Sequence, residues 1–180
     1  GTVAGWGFAR EREPWSLETL RKLRADVNRN GLELGALENL SPGFWYDILL
    51  DGPRRAQQLG GVKQFIRDMG RAGIPILGYN FSIAGVAGRV KGRFARGEAD
   101  AVGMDGSFDK PLPNGMVWNM VYDRDAFDPA GGKGVIAPFS HEVLWDRFAR
   151  FMGEMAPVAE EANVRLALHQ NDPPLPTLRG

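Results

Sequence analysis

The sequence predicts an α/β fold in which about four short strands form a parallel sheet and three long helices cover it. Helical and strand patterns alternate along the chain, an order typical of right-handed βα units. The 180 residues, 43% of them hydrophobic and 24% charged, are enough for one domain with a buried core. One long connection, residues 82–139, interrupts this alternation and is longer than a structural loop requires.

The first unit consists of a strand, a helix and a second strand. Residues 2–5 are the end of a first strand, and Ser16 is a suitable N-cap for the helix that follows. Asn30 and Gly31 end this helix because both tolerate the left-handed conformation. Residues 32–38 are short and apolar and end in a polar residue, so we predict a strand that ends at Glu38. The apolar positions of the helix recur at helical spacing: Leu17, Leu20, Leu23 and Val27.

Two further helix and strand pairs follow the same order. A helix over residues 53–71 ends at Gly73, and a strand covers residues 74–81. After the long connection, a helix begins at Ser140 and ends near Asn163, and residues 164–169 form the last strand. The buried faces of these two helices are built from Leu59, Val62, Phe65, Ile66 and Met69, and from Val143, Leu144, Phe148, Phe151, Met152, Met155 and Val158.

Composition and missing motifs exclude several classes of function. The 22 basic residues balance 22 acidic ones without a basic block, which argues against nucleic acid as the main partner. The chain has no cysteine, so it offers no disulfide, thiolate ligand or cysteine nucleophile. It also lacks the glycine patterns of nucleotide-binding loops and the Gly-x-Ser-x-Gly elbow of hydrolases. Without a long apolar run or a signal peptide, we expect a cytoplasmic protein with no membrane partner.

Polar side chains stand at the carboxyl ends of the predicted strands, where parallel α/β folds bind their ligands. These residues are Glu38, Tyr79, Asn80 and His169. His169 is suited to metal binding, but a histidine hydrogen-bonded to backbone at the rim explains its position equally well. Glu38 fits a metal ligand, a general base or an acceptor for a substrate hydroxyl, and spacing alone does not separate these roles.

The long connection carries a group of arginines. Arg89, Arg93 and Arg96 would share one face if residues 86–95 were helical, and such a face suits a substrate carboxylate. A solvated basic face is the alternative, and the arginines by themselves favour it.

Two segments at the predicted strand ends are distinctive: residues 71–81, RAGIPILGYNF, and residues 166–174, LALHQNDPP. They resemble segments of the D-mannonate dehydratase family, which has a TIM barrel of the xylose-isomerase-like kind. Glu38 is similar to the glutamate that ends the preceding strand in that family. The resemblance implies a partial (β/α)8 TIM barrel in residues 1–180, with residues 82–139 as a lid insertion. Gln170 and Asn171 replace the usual Pro-Asp, and a whole barrel needs about 200–250 residues.

The function that this resemblance implies is a hydro-lyase reaction. D-mannonate, a small sugar acid, would be dehydrated to 2-keto-3-deoxy-D-gluconate in hexuronate catabolism, with a divalent metal, Mn²⁺ or else Fe²⁺ or Mg²⁺. His169 would be the metal ligand, and the substrate would contact Glu38, Tyr79, Asn80, Arg89, Arg93 and Trp118.

The same resemblance places the catalytic acid and base and the other ligands on later strands. We therefore expect the chain alone to be inactive and to self-associate. Two alternative functions remain open: a sugar isomerase or epimerase on the same barrel, and a fragment that catalyses nothing. A homo-oligomer of the intact protein is a separate expectation.

Overall fold

The computed structural model describes residues 2–5, 15–38, 40, 44–81, 89–104 and 140–169. They belong to two compact units. The first unit contains a four-stranded sheet with its helices, and the second contains a two-stranded hairpin.

The first unit confirms the predicted α/β fold. In chain order its elements are β1 (Thr2–Gly5), α1 (Leu17–Arg29), β2 (Leu34–Glu38), α2 (Tyr46–Leu50), α3 (Arg55–Ala72), β3 (Ile76–Tyr79), α4 (His141–Ala162) and β6 (Arg165–Leu168), while strands β4 (Arg89–Gly92) and β5 (Ala101–Met104) belong to the second unit. The four strands of the first unit lie in the order β1-β2-β3-β6, and every neighbouring pair is parallel. Three long helices accompany them, and the short helix α2 follows β2.

Strand register assigns residues of β3 to two different faces. Leu77 pairs with Leu37 and with Leu166, and both Leu37 and Leu77 are buried. The next position, Gly78, pairs with Glu38 and with Ala167. Because successive side chains of a strand point to opposite faces, the Leu77 row belongs to the helix-covered core and the Gly78 row faces the other way.

The predicted helix ends are confirmed. The Ser16 hydroxyl accepts a hydrogen bond from the Thr19 amide at 3.2 Å, which satisfies an otherwise unpaired first-turn donor. Gly31 and Gly73 follow α1 and α3 with φ of 72°, and Asn163 follows α4 with φ of 53°. These left-handed residues end each helix and turn the chain toward the next strand.

Helices α3 and α4 pack closely side by side. A Cβ added to Gly70 would lie 2.3 Å from the carbonyl oxygen of Ala162, so the glycine permits this approach. Glu154 of α4 lies between two cations of α3, 3.1 Å from Arg55 and 2.8 Å from Lys63. The lysine and arginine hydrogen bonds lower the pKa of Glu154.

The short helix α2 is an element that the sequence analysis does not predict. Its Asp47 is 1% exposed, and Oδ2 accepts hydrogen bonds from the Arg54 amide at 3.0 Å and from Arg54 Nε at 3.2 Å. The Asp47 amide donates to Gln58 Oε1 at 2.8 Å. These contacts fix the turn between α2 and α3, where Gly52 leaves room for the carboxylate.

The second unit corrects the helix considered for residues 86–95. β4 (Arg89–Gly92) is a strand that pairs antiparallel with β5 (Ala101–Met104). Glycine is a poor helix former, and the Phe94 ring lies where Cβ atoms at Gly92 and Gly103 would stand. The prediction that Arg89, Arg93 and Arg96 share one helical face is therefore wrong.

Candidate active site

Glu38 and His169 converge at the carboxyl ends of the parallel strands. Glu38 is the last residue of β2, and His169 directly follows β6. Their side chains meet across the intervening strand, with Glu38 Oε1 4.0 Å from His169 Nε2. Both remain accessible, since 35% of the Glu38 side chain and 53% of the His169 side chain are exposed. This pair is the part of the predicted site that the structure brings together.

The sheet itself holds His169 in place. Its amide donates a hydrogen bond of 2.7 Å to the Tyr79 carbonyl, which continues the pairing of β6 with β3 by one residue. Since Ala167 lies in the row of Glu38 and Gly78, alternation returns the His169 side chain to that same face. Strand pairing thus fixes the backbone of His169 and the face of the sheet on which its imidazole lies.

Tyr79 lies on the opposite side of β3 from this pair. Its ring is buried, 5.7 Å from the ring of Phe151, and its hydroxyl donates to Met152 Sδ at 3.1 Å. Burial raises the pKa of the Tyr79 phenol above its usual value. The structure therefore places this residue in the helix-facing core and not beside Glu38 and His169.

Asn80 borders a small apolar pocket at the end of β3. It is half-buried, and the pocket is also lined by Trp45 of the segment before α2 and by Phe81. Phe81 stacks on Phe151 with ring centroids 5.2 Å apart and contacts Phe148 at 5.3 Å. These aromatic contacts attach the chain that leaves β3 to helix α4. The sequence analysis missed this cluster, although Phe148 and Phe151 belong to the predicted inner face of α4.

The remaining predicted site residues belong to the connection between β3 and α4. Arg93 is exposed and pairs with Glu98 at 3.3 Å within the second unit. Arg89 is the first residue of β4. Trp118 lies outside the described residues. Their substrate-binding roles stay predictions.

The donor chemistry of the Glu38 and His169 pair suits a divalent metal in part. An imidazole nitrogen and a carboxylate oxygen are a donor combination that Mn²⁺ and Fe²⁺ accept. Among the residues that the structure describes, however, no group of three or more such donors occurs. The pair therefore supplies at most two ligands, and any complete site needs donors from elsewhere.

The family is decided by comparison with known proteins. A family model described as D-mannonate dehydratase (UxuA) matches residues 2–120 and 135–180. The chain belongs to the D-mannonate dehydratase family. This confirms the resemblance seen in residues 71–81 and 166–174, which include the end of β3 and His169.

Curated members of the D-mannonate dehydratase family are longer than this chain. The mannonate dehydratase of Streptococcus pneumoniae is 30% identical over 176 residues, which cover 90% of this chain and 45% of that protein. The mannonate dehydratase of Thermotoga neapolitana is 27% identical over 185 residues, covering 90% and 48%. The chain thus spans somewhat less than half the length of these relatives.

A solved structure supports the fold. The crystal structure of mannonate dehydratase from Streptococcus suis serotype 2 matches with a TM-score of 0.71 and 24% sequence identity. The match covers 97% of this chain and 46% of that one. Among the helices of the described ranges, none has the length and apolar character needed to cross a membrane.

Proposed function

We propose that the intact protein dehydrates D-mannonate to 2-keto-3-deoxy-D-gluconate as a metal-dependent hydro-lyase of hexuronate catabolism. The observation that carries this proposal is the convergence of Glu38 and His169, 4.0 Å apart, at the carboxyl ends of the strands in a chain of this family. In the same proposal the parallel sheet is the first part of a (β/α)8 barrel, and the protein works in the cytoplasm.

The proposed reaction breaks two bonds of the sugar acid. A base removes the proton from the carbon next to the carboxylate, and the hydroxyl group on the following carbon departs as water after protonation. The resulting enol then becomes the 2-keto acid. A bound Mn²⁺ or Fe²⁺ would stabilise the negative charge that develops as the proton leaves.

Glu38 and His169 have distinct tasks in this proposal. His169 would hold the metal, and the hydrogen bond from its amide to the Tyr79 carbonyl keeps its backbone paired with β3. Glu38 is partly exposed and can accept a hydrogen bond from a substrate hydroxyl, which would orient the sugar chain beside His169. The acid and base themselves would come from residues outside this pair.

A paired activity assay tests the proposal. The protein from the complete reading frame containing these residues is incubated with Mn²⁺ and either D-mannonate or a neutral ketose. We expect a 2-keto-3-deoxy acid from mannonate and no turnover of the ketose. An isomerase or epimerase needs no substrate carboxylate, so turnover of the ketose alone would refute the dehydratase. The 180-residue chain, assayed in parallel, is expected to be inactive.

A further inference from the structure

Gly78 is the residue that separates Glu38 from His169. It lies in β3, the strand between β2 and β6, and pairs with Glu38 on one side and with Ala167 on the other. Glu38 also pairs with Gly5 of β1. The Glu38 side chain is therefore the only long one in this row of four paired residues.

The Glu38 side chain lies directly against the backbone of Gly78. A Cβ built on Gly78 would stand 3.1 Å from Glu38 Cγ and 3.3 Å from Glu38 Cβ. These separations are tighter than nine in ten real Cβ contacts, so the neighbouring atoms would have to give by a few tenths of an ångström. The three nearest atoms all belong to Glu38, so the displacement would fall on Glu38, while the backbone of His169 stays paired with Tyr79.

We propose that Gly78 is a positioning residue, because the absence of a side chain there lets the Glu38 carboxylate reach over β3 to His169. The 4.0 Å approach of the two groups depends on the free space above this glycine. A role for Gly78 in catalysis rests on the proposed function, whereas its control of the pair's geometry is a property of the sheet.

Two matched glycine substitutions separate this role from a general effect on stability. Gly78→Ala adds a methyl group against Glu38. Gly60→Ala makes the same change in α3, where a new Cβ would have nothing within 4 Å. Both variants of the 180-residue chain are compared with the parent by nuclear Overhauser contacts between the His169 ring and the Glu38 γ-methylene. The chain has two histidines, so His141→Gln identifies the signal of His169.

We expect the parent and Gly60→Ala to give contacts of equal intensity and Gly78→Ala to give a weaker one, because the Glu38 side chain must give by a few tenths of an ångström. An unchanged intensity in Gly78→Ala would overturn the proposal. This readout does not involve mannonate, so a failure of the proposed function and a failure of the positioning role are distinguishable. If the parent shows the contact while the protein from the complete reading frame does not turn over mannonate, the proposed function fails and the positioning role of Gly78 stands.

A second pair of variants keeps the test decisive if Gly78→Ala folds poorly. Glu38→Ala removes the Cγ atom, the nearest one to the new methyl group, and keeps Cβ. Gly78→Ala should therefore cost less stability in the Glu38→Ala background than in the parent, as measured by urea unfolding. If Gly78→Ala destabilises the chain equally in both backgrounds, the methyl group acts somewhere other than on Glu38, and the proposal fails.

Discussion

The same glycine-to-alanine change is expected to have opposite effects at two positions of helix α3. At Gly60 a new methyl group meets no atom within 4 Å, so Gly60→Ala should stabilise the chain. Alanine loses less backbone entropy than glycine in a helix, and the gain is about 0.5–1 kcal/mol. At Gly70 the methyl group would stand 2.3 Å from the Ala162 carbonyl oxygen.

The cost at Gly70 follows from which atom is in the way. Ordinary van der Waals contact begins near 3.4 Å, whereas the new methyl carbon would lie 2.3 Å from the Ala162 carbonyl oxygen. The two atoms must therefore move apart by the difference between these distances. The obstacle is backbone, which no side-chain rotation removes, and α3 and α4 must therefore shift apart. Overpacking of this kind costs about 1–3 kcal/mol, which exceeds the gain in helix propensity.

Urea unfolding followed by circular dichroism measures both effects on one scale. We expect the free energy of unfolding to fall by about 1–2 kcal/mol in Gly70→Ala. It should rise in Gly60→Ala, and the two variants should differ in melting temperature by about 5–10 °C. Gly153→Ala, on α4 with no atom near its new methyl group, is a further control. Equal stability of Gly70→Ala and Gly60→Ala would refute the close approach of the two helices.

Three other predictions concern charge, self-association and a buried turn. Hydrogen bonds from cations hold the pKa values of Asp51 and Glu154 below their usual range, so both groups stabilise the fold at neutral pH. This contribution is lost as pH falls from the ordinary carboxyl value of about 4 through the lowered folded values, and acid titration of the unfolding free energy should show it. Leu168→Lys should weaken self-association in sedimentation velocity, because Leu168 is 51% exposed on β6, which pairs on one side within the described part of the chain. Asp47→Ala should lower the free energy of unfolding by about 1–3 kcal/mol, because it removes the acceptor of two Arg54 donors.

One measurement can contradict each of these three predictions. An acid profile that is unchanged in Asp51→Asn would contradict the role of that carboxylate. If Leu168→Lys and the parent sediment equally, self-association does not take place through β6. If Asp47→Ala unfolds at the same urea concentration as the parent, the turn between α2 and α3 does not depend on this carboxylate.

The sequence was sufficient for the parallel sheet and its long helices because local signals coincide there. Ser16, Gly73 and Asn163 mark helix ends through backbone chemistry that acts within one turn. Apolar spacing then identifies the buried faces, and the alternation of elements favours parallel strands. These signals do not depend on distant contacts, so they survive in a single sequence.

The site was less predictable because it depends on which face of a strand each residue occupies. Tyr79 and His169 both stand at strand ends, yet the register turns Tyr79 toward α4 and His169 toward Glu38. The importance of Gly78 depends on strand order, since it matters only as the residue between two partners. Helix α2 is five residues long, and its turn is fixed by contacts of Asp47 with Arg54 and Gln58 that no periodic pattern reveals.

The placement of β6 beside β3 has a consequence for how the chain tolerates change in length. Their pairing joins residues 76–79 directly to residues 165–168, although β4 and β5 come between them in the sequence. The entropy of closing such a connection grows only with the logarithm of its length, and doubling it costs about 0.6 kcal/mol. Lengthening or shortening the connection around β4 and β5 therefore changes little in the energy of the sheet. We therefore expect variants of this chain with a shorter or longer connection to keep Glu38 beside His169.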